Sequence, residues 1–125
     1  AVLRGDEGPI TVRENTNIQD GAVLHDGTYV GAGCTIGHGC VVHGCTVGKN
    51  TLLGMGAIVL NGARIGDDCI VGAGALVTGT LDAPNASLIM GSPAKIVRQL
   101  TQEEIEENRR SAAEYLEFAQ RYRRG

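Results

Sequence analysis

Large aromatic residues are nearly missing from this sequence: its 125 residues include one Phe, three Tyr and no Trp. Aromatic side chains ordinarily supply much of a core's buried area, so the interior must be narrow and aliphatic. No run of about 18 apolar residues is present, which leaves no candidate for a membrane-spanning helix. Excess charge of one sign is also absent. Lys+Arg 11 against Asp+Glu 14 gives a net charge of −3, no electrostatic footprint for nucleic acid or an anionic membrane. The cysteines Cys34, Cys40, Cys45 and Cys69 show no C-x-x-C spacing, so a thiolate metal site has no sequence support. The chain opens in mid-pattern at Ala1-Val2-Leu3 without an initiator Met and gives no reading of a targeting segment. A cytoplasmic location is the expectation.

What is abundant is glycine, with 19 residues, and it recurs on a period. The aliphatic series Val12, Ile18, Leu24, Val30, Ile36, Val42 advances by six; after a single five-residue step it continues as Val47, Leu53, Val59, Ile65, Val71, Val77. Leu3 belongs to the series, with the excess before Val12 placed in an Asp6-Glu7-Gly8-Pro9 loop. Two residues before each aliphatic stands a small residue (Ala, Thr or Cys), Ile10 excepted, and all four cysteines fall in this column. Small buried hydrophobes are therefore their simplest reading, a disulfide or metal role the competing one. Three residues before each aliphatic, from Asn15 to Gly74, every residue is Gly, Asn or Asp, the types that accept positive φ at low cost.

A two-sided strand followed by a sharp corner every six residues describes a prism with three strands per 18-residue coil, backbone groups being paired between coils. This is the hexapeptide pattern of a parallel β-helix. The predicted fold is an all-β solenoid over residues 1–80. Residues 81–100, with Asp82-Ala83-Pro84-Asn85 and Gly91-Ser92-Pro93, read as a connecting loop with short extended segments leaving the prism. Thr101-x-x-Glu104 is a capping box. It opens a predicted helix over 101–123, with an apolar stripe of Ile105, Ala112, Leu116 and Ala119, packed on the prism or on a neighbouring subunit.

The commonest residue just after each aliphatic is Gly, and the exceptions carry the chemistry. Arg4, His25 and His43 follow Leu3, Leu24 and Val42 on one face, forming an outward column on consecutive coils. Gln19-Asp20 and Gly37-His38 follow Ile18 and Ile36 on another, which stacks Asp20 with His38. Two imidazoles one strand spacing apart can reach a single metal ion, but a catalytic zinc site normally takes three protein ligands. His38 lies on a different face, so a cyclic trimer in which His38 of one subunit meets the His25/His43 column of the next would complete the set.

Leu3-Arg4-Gly5-Asp6, Asn17-Ile18-Gln19-Asp20-Gly21, Leu24-His25, Gly37-His38, His43-Gly44-Cys45, Gly54-Met55-Gly56-Ala57 and Gly91-Ser92-Pro93-Ala94-Lys95 together resemble the γ-class carbonic anhydrases and their close homologues. The resemblance runs from residue 1 to the terminal helix. It implies the left-handed form of the β-helix, against the usual right-handed crossover, and a homotrimer with zinc, or iron or cobalt, at the subunit interfaces. By motif, His25 and His43 would bind the metal from one subunit and His38 from its neighbour. Arg4 and Asp20 would form an interface ion pair, and Gln19, Asp6, Glu7 and Asn17 would be the catalytic candidates near the metal-bound solvent.

The implied reaction is reversible hydration of carbon dioxide to bicarbonate by a metal-bound hydroxide, with Gln19 orienting an oxygen and Asp6 or Glu7 moving protons. The sequence departs from the family where His25-Asp26-Gly27-Thr28-Tyr29 runs straight on. The best-known active members carry there an acidic insertion bearing a proton-shuttling glutamate. Relatives also carry further coils before the R-G-D stretch, so the chain is either truncated or exposes a bare first coil. The alternative readings are a metal-dependent acyl-CoA thioesterase, a catalytically silent trimeric assembly subunit and a hexapeptide acyltransferase; three metal-spaced histidines argue against the last.

Overall fold

The computed structural model of the protein describes residues 2–5 and 8–124, with side chains described through residue 114. Three sheets form the faces of a left-handed prism. Face A stacks Val2–Arg4, Val23–His25, Val41–Val42, Ile58–Val59 and Leu76–Val77. Face B stacks Thr11–Val12, Tyr29–Val30, Thr46–Val47, Arg64–Ile65 and Asp82–Ala83. Face C stacks Asn17–Ile18, Thr35–Ile36, Leu52–Leu53, Ile70–Val71 and Ser87–Gly91, closed by Ala94–Gln99. Each strand is too short to hold itself together. Its backbone groups are satisfied only by the next coil, as where the amides of Gln19 and Gly37 donate to the carbonyls of Ile36 and Leu53, both at 2.9 Å.

The aliphatic series points inward as the six-residue period requires. Leu24, Val30, Ile36, Val42, Val47, Leu53, Val59, Val71 and Val77 are fully buried, each worth about 1.5–3 kcal/mol of transfer free energy. The small-residue column lies beside it. Cys34, Cys40, Cys45 and Cys69 are buried free thiols, and Cys34 and Cys40 donate to the carbonyls of Gly48 at 2.9 Å and Gly54 at 3.0 Å. Burial pushes the Cys34 and Cys45 thiols up to about 11 and about 12, so they stay protonated near neutral pH. Where the column carries threonine, the hydroxyl finds a carbonyl: Thr51 donates to Gly66 at 2.8 Å. Leu3, inward by sequence, is 51% exposed.

Every Gly, Asn or Asp of the corner column from Asn15 to Gly74 has positive φ, the non-glycines Asn15, Asn50 and Asp68 at 59°, 55° and 56°. The prism also runs past the predicted boundary at residue 80. Asp82–Ala83 pairs in parallel with Arg64–Ile65, and Ser87–Gly91 with Ile70–Val71. Residues 82–91 are therefore the last parallel strands of the solenoid, and only the strand after them departs from it. The six-residue series continues from Val77 to Ala83 and Ile89, both buried; the small Ala83 and the turn residues around it hid the continuation. Gly91-Ser92-Pro93 is the hairpin turn from which Ala94–Gln99 returns antiparallel.

The helix spans Gln102–Arg124. Its capping box is formed: the Glu104 amide donates to Thr101 Oγ1 at 3.2 Å and the Thr101 amide to Glu104 Oε1 at 2.9 Å. The helix then lies back along the prism. Arg109 forks onto Asp68 at 2.8 and 2.7 Å, and Asn108 donates to the Asn50 carbonyl at 3.0 Å, which fixes the helix along the corner between faces B and C. Leu116 and Ala119 of the expected stripe lie outside the described side chains.

Candidate functional site

The register decides which polar residues can meet. On face A, Arg4 pairs with His25, and Leu24 with Val42, so Arg4, His25 and His43 rise in one column at the corner joining face A to face B. The rings of His25 and His43 face each other with centroids 4.7 Å apart and planes inclined by 36°. Both histidines are half-buried. On face C, Asn17 pairs with Thr35 and Ile18 with Ile36, which sets Gln19 beneath Gly37 and Asp20 beneath His38 at the corner joining face C to face A. The Gly39 amide donates to the Asp20 carbonyl at 3.1 Å, holding these two coils together at His38.

The structure thus divides the predicted site residues into two groups on opposite edges of face A. His25, His43 and Arg4 occupy one edge; exposed His38 stands with Asp20, Gln19 and Asn17 toward the other. Asp6 and Glu7 lie outside the described residues. Among the described residues of one chain, no group of three His, Cys, Asp or Glu side chains comes close enough to hold a metal ion. One chain brings a pair of imidazoles one coil apart, a donor type that suits zinc, where a catalytic zinc site normally takes three protein ligands. The Asn17 side-chain nitrogen is buried without a hydrogen-bond partner, in a face C strand that the C-terminal helix also touches.

Two features escaped the sequence reading. The first is Asn61, whose side-chain oxygen meets His43 Nδ1. The five-residue step at His43 is the signal that could have found it, since it removes one residue from that corner. The second is the outward column of face A, Val2, Val23, Val41, Ile58 and Leu76, every member aliphatic. Met55 and Leu60, 61% and 38% exposed, flank it on the two corners. Alternation within each strand makes this column readable once the inward one is known.

This coiled architecture, with its inward hexapeptide series, places the protein among the hexapeptide-repeat solenoids. The chain belongs to the bacterial transferase hexapeptide family, whose six-repeat model matches residues 9–44 and 44–79. It is similar to a hexapeptide transferase family protein from Anaplasma phagocytophilum, with 42% identity, a TM-score of 0.90, and coverage of 97% of this chain and 74% of that one. Carnitine operon protein CaiE of Salmonella newport is 38% identical over 129 residues; the chain spans 65% of the length of that relative. A hexapeptide-repeat acetyltransferase from Vibrio cholerae shares the fold at 20% identity and a TM-score of 0.70, over 80% of this chain and 68% of that one. No helix among the described residues is long and apolar enough to cross a membrane.

Proposed function

We propose that the protein is a homotrimeric, zinc-dependent catalyst of the reversible hydration of carbon dioxide, similar to the γ-class carbonic anhydrases. The observation that carries this reading is the His25–His43 pair, two facing rings at 4.7 Å on consecutive coils, with His38 held on the opposite edge of the same face. A three-fold arrangement around face A sets the His38 edge of one subunit against the His25/His43 edge of the next, giving three equivalent sites. The aliphatic outward column of face A suits burial against a second copy, and the same arrangement would bring Arg4 and Asp20, on those two edges, to face each other across it.

His25 and His43, with His38 of the neighbouring subunit, would hold zinc, which would supply a water that ionises near neutral pH; iron or cobalt would suit the same donors. Within each site, Gln19 and Asn17 arrive with His38 from the neighbouring subunit. The Gln19 amide donates a hydrogen bond to an oxygen of carbon dioxide or bicarbonate and fixes its orientation. The carboxyls of Asp6 and Glu7, on the chain segment after Arg4, accept the released proton and pass it to buffer. A second reading, acyl transfer from or hydrolysis of a coenzyme A thioester, is favoured by the transferase name of the family and of the Anaplasma phagocytophilum protein.

Metal analysis of the purified protein combined with stopped-flow carbon dioxide hydration tests the first reading. One metal ion per subunit and hydration activity lost in His43→Ala are expected. A metal-free protein, or a zinc-loaded one that does not hydrate carbon dioxide, overturns it. Release of free coenzyme A from an acyl-CoA by such a protein would establish the second.

A further inference from the structure

We propose that Asn61 is a positioning residue for the metal site: it holds His43 in the tautomer whose Nε2 is free to bind. The inference rests on the metal reading above. Asn61 does not belong to the histidine column by repeat position. Val42 pairs with Val59, so the residue stacked above His43 is Leu60, and Asn61 is one position further along. It reaches His43 because the corner beneath it is short. Between the inward Val42 and Cys45 stand only His43 and Gly44, whereas the coil above has Leu60, Asn61 and Gly62 between Val59 and Ala63. The residue that would lie under Asn61 is the one that the five-residue step omits.

Glycine at position 44 keeps that space open. Gly44 has φ +58°, and a Cβ built on it would stand 2.8 Å from Asn61 Cγ, so a larger residue there would be strained and would push the Asn61 side chain aside. The Gly62 amide donates to the Gly44 carbonyl at 3.0 Å, which fixes the height of the upper corner. From above, a Cβ on Gly79 would stand 3.2 Å from the Asn61 carbonyl carbon. Two glycines thus let the backbone close on Asn61 from both sides while its side chain points to the imidazole.

A side-chain carbonyl oxygen can only accept, so its contact with His43 Nδ1 places the single proton of the neutral ring there. Nε2 is then the atom with a lone pair. Metal-binding histidines commonly donate the other ring N–H to an oxygen in this way, which fixes both tautomer and ring orientation. Here the oxygen comes from an uncharged amide, so the site gains orientation without a fixed negative charge.

The test uses the whole 125-residue chain with Asn61→Leu and Asn61→Asp, with assembly checked by light scattering. Long-range nitrogen NMR on the metal-free protein, at about pH 8.5 where an ordinary imidazole is neutral, reports the tautomer of His43. Nδ1–H is expected in the wild type, a shift toward Nε2–H in Asn61→Leu, and Nδ1–H again in Asn61→Asp, which keeps an acceptor. Zinc affinity by chelator competition is expected to fall about 10- to 100-fold in Asn61→Leu and to stay near wild type in Asn61→Asp. If Asn61→Leu does not assemble, Asn61→Ala, which only removes the acceptor, makes the same comparison. An Nε2–H ring in the wild type, or unchanged zinc affinity without the acceptor, overturns the inference while leaving the metal reading in place. Failure of the wild type to take up zinc overturns the metal reading and the ligand role together; the tautomer measurement then still reports whether Asn61 holds the ring.

Discussion

Faces A and B share one interior and differ in what they show outward. Leu24, Val42 and Val59 on face A and Val30, Val47 and Ile65 on face B are equally buried, as a repeating core demands. Their outward neighbours diverge: Val2, Val23, Val41, Ile58 and Leu76 on face A, against Thr11, Tyr29, Thr46, Arg64 and Asp82 on face B. Face C is intermediate, with Asn17 and Thr35 giving way to Leu52, Ile70 and Leu88 on the side where the helix lies. The inward columns specify the solenoid, and the outward columns differ with what each face meets: water, the chain's own helix or, for face A in the proposed trimer, another subunit. The histidines sit on the two edges of the face without a polar exterior.

The largest expected effect comes from charging face A. Val41→Asp should convert the proposed trimer into monomers by light scattering and remove bound metal with it, because an unpaired carboxylate would be buried at the centre of the interface. Thr46→Asp, on exposed face B, should leave the mass unchanged and the stability within about 0.5 kcal/mol. A Val41→Asp protein that remains trimeric would show that face A is not the interface.

The core was legible in the sequence because a six-residue period repeated over many coils leaves little choice of which residue points inward. The corner column was equally plain, since positive φ restricts the residue types. Recognition stopped at Val77 because Ala83 is small and Ala86, with φ of 61°, is neither Gly nor Asn nor Asp. In the site, His43 above His25 and His38 above Asp20 followed from counting by eighteen, and Arg4 joined the first column across the three-residue excess before Val12. Asn61 did not, because the five-residue step at His43 shifts contacts out of the repeat register: the step marks the corner, and the coordinates show the side chain that crosses it.

A smaller effect separates face C from face A by pH. The Arg98 guanidinium, bonded to Glu104 at 2.7 and 2.8 Å, and next the Thr101 amide hold the Glu104 carboxyl down to about 2 against an ordinary 4.5. A depressed carboxylate pKa contributes stability that is present above the unfolded value and lost as pH falls through the folded one. Between about pH 4.5 and 2 the helix start should therefore loosen while the face A strands hold. Hydrogen exchange should show faster opening at the Thr101 and Glu104 amides over that window. Glu104→Gln should flatten the dependence; if it does not, other carboxylates control the helix.

The smallest effect concerns the corners that let three faces close. Gly74 has φ +70° with nothing within 4 Å of where a Cβ would stand, so Gly74→Ala measures the backbone cost of the left-handed conformation, about 1–2 kcal/mol, offset by the same glycine entropy that enters the reverse exchange. Ala86 is already in that conformation at φ 61°. Ala86→Gly should recover part of the same quantity, reduced by the entropy that glycine loses on folding, about 0.5–1 kcal/mol. A net gain below about 1 kcal/mol is expected from denaturant midpoints, opposite in sign to Gly74→Ala. The Gly74 corner leads into face A and the Ala86 corner into face C, so opposite signs would show that corner strain is set by the residue and not by the face it serves. Equal signs would mean that the helix and final strands hold Ala86 in place by contacts that glycine cannot replace.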